Sequence, residues 1–209
     1  MDPIILSTAE PAPDAAAQLD ALIRQALEAG ATGAVIIPAD AIRVDPKLAD
    51  MCREPRCTGY GLSKSCPPHV SGPAGFQHRQ ARYRRALFFK IDVPADILYS
   101  SDRREIFQLL HELAGGIERQ AVDMGFVAAR AYAGGSCKDI FCRDHADCRV
   151  VSGAGECRHP QAARPSMSGF GIDVGALIKT AGWNERLTTR DTALPETKMA
   201  AVYGLVLIG

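Results

Sequence analysis

Seven cysteines, confined to two stretches with little else to order them, constrain this chain more than any other feature. MCREPRCTGYGLSKSCPPHV, residues 51–70, carries Cys52, Cys57 and Cys66 as C-x4-C-x8-C-P-P. The second stretch, residues 134–165, carries Cys137, Cys142, Cys148 and Cys157 as C-x4-C-x5-C-x8-C. Neither holds enough large apolar side chains to fold by burial, so another term must offset the entropy of fixing the backbone. Disulfides are one candidate. Against them stand the odd count, the 209-residue length and a start, MDPIILSTAEPAPD, without the positive n-region and long apolar run of a signal peptide. Metal ligation is the other candidate, because its binding free energy becomes folding free energy.

The rest reads as an ordinary globular protein, with 47% apolar and 23% charged residues. After a loose Pro- and Ala-rich start, residues 14–29 predict a helix with Leu19, Leu22, Ile23, Ala26 and Leu27 on one face and Gly30 at its cap. GAVIIPADAI (33–42) predicts a strand interrupted or ended by Pro38, GFQHRQARYRR (75–85) a basic helix, and ALFFKIDV (86–93) a buried strand. A longer helix is expected from Asp102, with Asp102 and Glu105 as a capping box. Its stripe is Ile106, Leu109, Leu110, Leu113 and Ile117, and Gly125 ends it. FVAARAYA (126–133) predicts a strand that runs into the second cysteine stretch. Val174, Leu177, Ile178 and Ala181 predict a short helix, and KMAAVYGLVLI (198–208) a last strand buried on both faces. This order implies an α/β or α+β fold in a single domain over 1–209, with helices packed on a mixed sheet. The cysteine loops, 51–70 and 134–165, are then metal-binding insertions, since loops this long inside a domain are usually functional.

Spacing bears on the metal. Structural zinc favours paired C-x2-4-C knuckles; here the closest spacing is C-x4-C, once in each loop, and neither loop holds a second knuckle. A [4Fe–4S] cube takes four thiolates and spans more room. Cys137, Cys142, Cys148 and Cys157 suffice for one cube, and Gly134, Gly135, Gly153 and Gly155 let backbone N–H groups approach its sulfurs. Cys52, Cys57 and Cys66 would hold a second cube whose last iron takes His69, solvent, a substrate or a remote residue. Ligands swapped between the two motifs are a further arrangement. An iron–sulfur protein for electron transfer or redox catalysis is therefore expected, with a redox partner protein or a small-molecule substrate at an open iron. The alternative is a zinc-stapled interaction module without a redox role.

His145 and His159 lie beside the second cysteine set as hydrogen-bond donors to sulfur or as turn caps. Arg79, Arg82, Arg84 and Arg85 around Tyr83 read as a solvated helix face or a landing site for an acidic partner. Ser166, Ser168 and Gly169 precede a helix whose N-terminus would take an anion or simply start there. Formal net charge is zero and pI about 6.9, which gives nucleic acid no support. No apolar run reaches the roughly 18 residues of a membrane span, so the expected location is the cytoplasm, where thiols stay reduced. Nucleotide, flavin and radical motifs are absent from the sequence.

C-x4-C-x2-Y…SCPP with Tyr60, followed by GGSC…C…C…CRHP…ARPSMSGFGIDV, resembles a cysteine-rich family described as predicted metal-binding protein, domain of unknown function 2284. The resemblance runs from about Cys52 to Val174, and all seven cysteines fall at positions similar to that family's pattern. It implies metal or iron–sulfur binding in mainly anaerobic or redox metabolism of bacteria and archaea, and no particular reaction.

Overall fold

The computed structural model describes residues 13–183 and 199–209; the Pro- and Ala-rich start lies outside them. Strand β2 (Arg85–Pro94) is the axis of the sheet. Strand β1 (Gly33–Pro38) pairs along one side of it, β4 (Met199–Ile208) along the other, and β3 (Arg130–Tyr132) lies outside β4. Every strand pairing is antiparallel. The expected combination of helices packed on a sheet is present, and the uniform pairing puts it on the α+β side of that expectation.

The apolar runs of β2 and β4 do not alternate with polar residues because both faces are covered. On one face Leu87, Phe89, Ile91, Val202 and Val206 pack under α1 (Pro13–Glu28) and α4 (Arg103–Asp123). Helix α1 contributes Leu19, Leu22 and Ala26, and α4 contributes Leu110, Leu113, Ala114 and Ile117. On the other face Phe88, Leu205 and Leu207 meet α3 (Gly72–Gln80) through Phe76 and α6 (Val174–Thr180) through Leu177 and Ile178. Two short helices, α2 (Pro46–Asp50) and α5 (Cys137–Phe141), belong to the cysteine segments. Helix α1 ends in a Schellman motif: Ala31 N donates to Ala26 O and Gly30 N to Leu27 O, with Gly30 at φ 114°. No helix among the described residues is long and apolar enough to cross a membrane.

Several local expectations are corrected. Leu27 and Leu109 point outward, 43% and 37% exposed, because each sits at the margin of its helix's buried stripe. Asp102 makes no side-chain capping bond; its own N–H is taken by Ser100 Oγ. The basic helix starts at Gly72 and stops at Gln80, so Arg82 and Arg84 lie in the following turn and Arg85 on β2. The strand expected over 126–133 shrinks to Arg130–Tyr132, because Phe126 N and Ala129 N are used in a turn that closes α4. Residues 137–141, expected as loop, are helical.

Backbone pairing at the end of β3 sets the site. Ala133 N donates to Pro165 O and Met167 N donates to Ala133 O, so the second cysteine loop leaves and returns at one point. Asp45 N donates to Gly171 O and Asp173 N to Arg43 O, which ties the approach to the first loop to the exit from the second. Ser166 N donates to Ser65 O and joins the loops directly.

Gly204 lies opposite Phe89 across β2 and β4, and a Cβ there would run into the Phe89 ring. Gly204→Ala is expected to cost about 1–3 kcal/mol in urea unfolding, the usual range for overpacking. Gly116→Ala, whose Cβ would meet nothing nearer than Arg119 at 4.0 Å, should be neutral or stabilising.

Candidate metal centre

The first cysteine loop is a run of turns. Asp45 caps α2 by accepting from Lys47 N at 2.9 Å, and Cys52 N donates to Ala49 O as the helix ends. Cys57 N then reaches Cys52 O at 3.0 Å, Gly61 N reaches Pro67 O at 2.8 Å, and His69 N reaches Cys66 O at 3.0 Å. Gly169 lets this loop sit down, since a Cβ there would lie 2.9 Å from Pro67 Cδ. The SMSGFG stretch is thus a floor under CPP. It forms a short 3-10 turn, Met167–Phe170, and α6 is capped by Asp173 accepting from Ala176 N. That corrects the reading of Ser166 and Ser168 as a helix N-terminus.

Cys52, Cys57 and Cys66 are brought within electrostatic reach of one another. Burial raises the Cys52 thiol above its ordinary value, and Cys57 and Cys66 push it the same way. Burial also raises Cys66, against the pull of the Ser63 hydroxyl.

The second loop brings its four thiols to one place. Cys137, Cys142, Cys148 and Cys157 line a single narrow pocket with Ser63, Lys64, Lys138, Phe141, Arg149 and Arg158. Lys138 Nζ donates to Cys142 O at 2.9 Å and His145 O at 2.6 Å, Arg149 donates to Ala154 O, and Arg158 to Asp147 O. These basic side chains therefore hold the loop's carbonyls. Burial alone would raise Cys148, but N–H groups of Lys64, Val151 and Val150 and the Lys64 charge bring it below the ordinary thiol range. One of those amides comes from the first loop.

Cys137 is where the two sets meet. Burial raises it, the Ser65 and Ser63 hydroxyls lower it, and both Cys66 and Cys157 act on it. Ser63, Ser65 and Ser136 are buried around this junction. A Cβ on Gly59 would stand 2.8 Å from Ser136 Cβ and 3.9 Å from Cys57 Sγ, so the loops touch. Ser136 Oγ lies beside the Cys66 thiol, yet is buried without a hydrogen bond of ordinary geometry among the described residues. Four cysteines lining one pocket and a basic rim fit an anionic thiolate-bound metal group. Among the described residues no three Cys, His, Asp or Glu side chains already converge as a single-ion site.

The histidines divide differently. His69 Nε2 is 3.2 Å from Gly61 O and the residue borders a separate cavity. His159 stacks on Phe141 at 5.1 Å beside the four-thiol pocket. His145 is exposed. The histidine that sequence reading passed over is His111, fully buried on α4. Its Nδ1 accepts from Arg164 N at 3.0 Å, so its Nε2 carries the proton and donates to Gly134 O at 2.9 Å. One imidazole thereby clamps the first and last turns of the cysteine loop. Arg164 adds an ion pair to Glu118 of α4 at 2.6 Å. The signal was present in the sequence: a polar residue inside the apolar stripe Leu110, Leu113, Ala114, Ile117.

Burial lowers the His111 pKa to about 4 from 6.5. Above pH 6.5 the ring is neutral in both folded and unfolded chains and the clamp is at full strength. Between 6.5 and about 4 the unfolded chain takes up a proton that the folded one refuses, so stability falls as pH drops. The loss should total on the order of 3 kcal/mol and be complete below the folded pKa. Melting temperatures across this window should fall more steeply for the native protein than for His111→Gln, which keeps a donor and an acceptor but cannot titrate. Equal slopes would rule the clamp out as the cause.

Compared with models of known families, the chain matches the one described as predicted metal-binding protein (DUF2284) over residues 35–208. No curated protein and no solved structure matches it.

Proposed function

The chain belongs to the DUF2284 family of predicted metal-binding proteins, and on that premise we propose that its thiols hold iron–sulfur and that it handles electrons. The observation that carries this reading is the pocket framed by Cys137, Cys142, Cys148 and Cys157, with its basic rim and the amides turned toward Cys148. Four cysteines line one narrow pocket of about 20 Å³, and it is their wide spacing along the chain that favours a multinuclear cluster over the paired knuckles of a single zinc. Amide and hydroxyl donors to sulfur tune such a cluster's potential and favour its reduced, more negative form.

Cys52, Cys57 and Cys66 would hold a second centre, with a fourth position not filled by a further cysteine of the first loop. When bound, that centre would supply either a second electron relay or an iron open to a small molecule. This chain's own residues bury Cys66, set the Ser63 hydroxyl on its thiol, and hold His69 against Gly61 O. A redox partner protein completes the reading. Exposed Arg82 and Arg84 beside the sheet would suit an acidic one.

Anaerobic purification followed by iron, sulfide and zinc assays is the test. A brown protein with equal iron and sulfide is expected. Single Ser replacements at Cys142, Cys148 or Cys157 should each remove about four iron atoms, one cube. Stoichiometric zinc without sulfide would overturn the proposal in favour of a zinc-stapled module.

A further inference from the structure

A second concentration of positive charge lies outside the thiol pocket. A cavity of about 360 Å³ opens between the two cysteine loops, α3 and the edge strand β3. Lys64, Arg79, Arg130 and Arg164 face it, and Glu118 is the only carboxylate among its lining residues. Glu118 is already committed, since it pairs with Arg164 at 2.6 Å and accepts from Ala131 N at 2.9 Å. Four cations less one carboxylate leaves three positive charges around one cavity, on a chain whose formal net charge is zero.

These three are free to meet a ligand in different degrees. Arg130 stands exposed on β3 and makes no hydrogen bond or ion pair among the described residues. The Lys64 ammonium likewise has no partner among them. Arg79 is half-buried and oriented, because its guanidinium donates to Tyr132 OH at 3.1 Å, a phenol that carries no compensating charge. Like charges drawn together without a counter-ion repel, and a bound anion removes that cost. Two guanidinium forks and an ammonium match the paired oxygens of a carboxylate or phosphoryl group.

We propose that this cavity binds a small oxyanion, a carboxylic acid or phosphate ester of metabolite size. The volume falls in the range of small-molecule sites. The cavity wall is also the wall of the thiol sites. Ser65, which lines it, has its hydroxyl on the Cys137 thiol, and the Lys64 amide acts on Cys148. A ligand held by Lys64 and Arg130 is therefore one residue layer from the second loop's cysteines. Binding itself does not require the iron–sulfur reading; only the ligand's nearness to a cluster rests on it.

The test is calorimetric titration of the anaerobically purified holoprotein with inorganic phosphate and, separately, with succinate, with iron assayed in the same samples. Saturable binding of at least one probe is expected, and the tighter of the two identifies the phosphoryl or the carboxylate source. Arg130→Gln on β3 and Arg79→Gln on α3 should each weaken it about tenfold or more, the scale of one charge-assisted pair. Arg24→Gln on α1 should leave it unchanged. Binding that persists in iron-free protein and keeps this variant pattern supports the cavity while the cluster reading fails. Full iron content with no saturable binding up to about 10 mM, or equal binding by all variants, overturns the cavity and leaves the cluster reading standing.

Discussion

The arrangement rests on the closure of one loop at the end of a three-residue strand. Ala133 takes and gives backbone hydrogen bonds to Pro165 and Met167, and the neutral His111 ring joins Gly134 to Arg164 just above. Without this closure, residues 134–165 would pay the full entropy of an unanchored loop before any ligand set could form. With it, the four cysteines hang from a fixed base against α4, and metal has to organise only the loop's outer part. The protein core thus does the first half of the ordering. His111 can serve only while neutral, and burial is what keeps it so.

Charge is distributed by the same logic. Positive and negative residues balance over the chain, yet the lining of the thiol pocket holds Lys64, Lys138, Arg149 and Arg158 without a carboxylate. The neighbouring cavity repeats the bias with Arg79 and Arg130. Lys64 faces both, so one side chain couples the electrostatics of the two sites. Thiolates in the one and an oxyanion in the other would each draw on the same positive field.

Much of this was legible in the sequence, and the remainder failed for identifiable reasons. The long helix, the buried strands β2 and β4 and the two cysteine loops follow from apolar periodicity and from its absence. The antiparallel pairing did not, because a strand buried on both faces reads as an apolar run whatever its neighbours' direction. FVAARAYA looked like a full strand since its composition is β-compatible, but the backbone groups of Phe126 and Ala129 serve the turn after α4. SMSGFGIDV reads as a helix entry, with or without an anion, whereas Gly169 and Gly171 are there to let Pro67 and Asp45 approach. His111 and Arg164 act through partners 53 residues apart along the chain, a relation that no local pattern encodes.

The seven thiols group in space differently from the way they group in sequence. Counting along the chain separates three from four, with a long helix and two strands between them. In the folded protein Cys66 acts on Cys137, the Ser63 hydroxyl reaches both, and Cys157 acts on Cys137 as well. Cys52, Cys57, Cys66, Cys137 and Cys157 therefore form one continuous series. On the iron–sulfur reading, Cys66 and Cys137 would be the residues at the boundary between the two sets. The exchange of one cysteine between motifs known in two-cluster ferredoxins has its natural position here, at Cys137. An odd number of thiols is then no defect. A boundary cysteine that either set could use would leave the other with three thiolates.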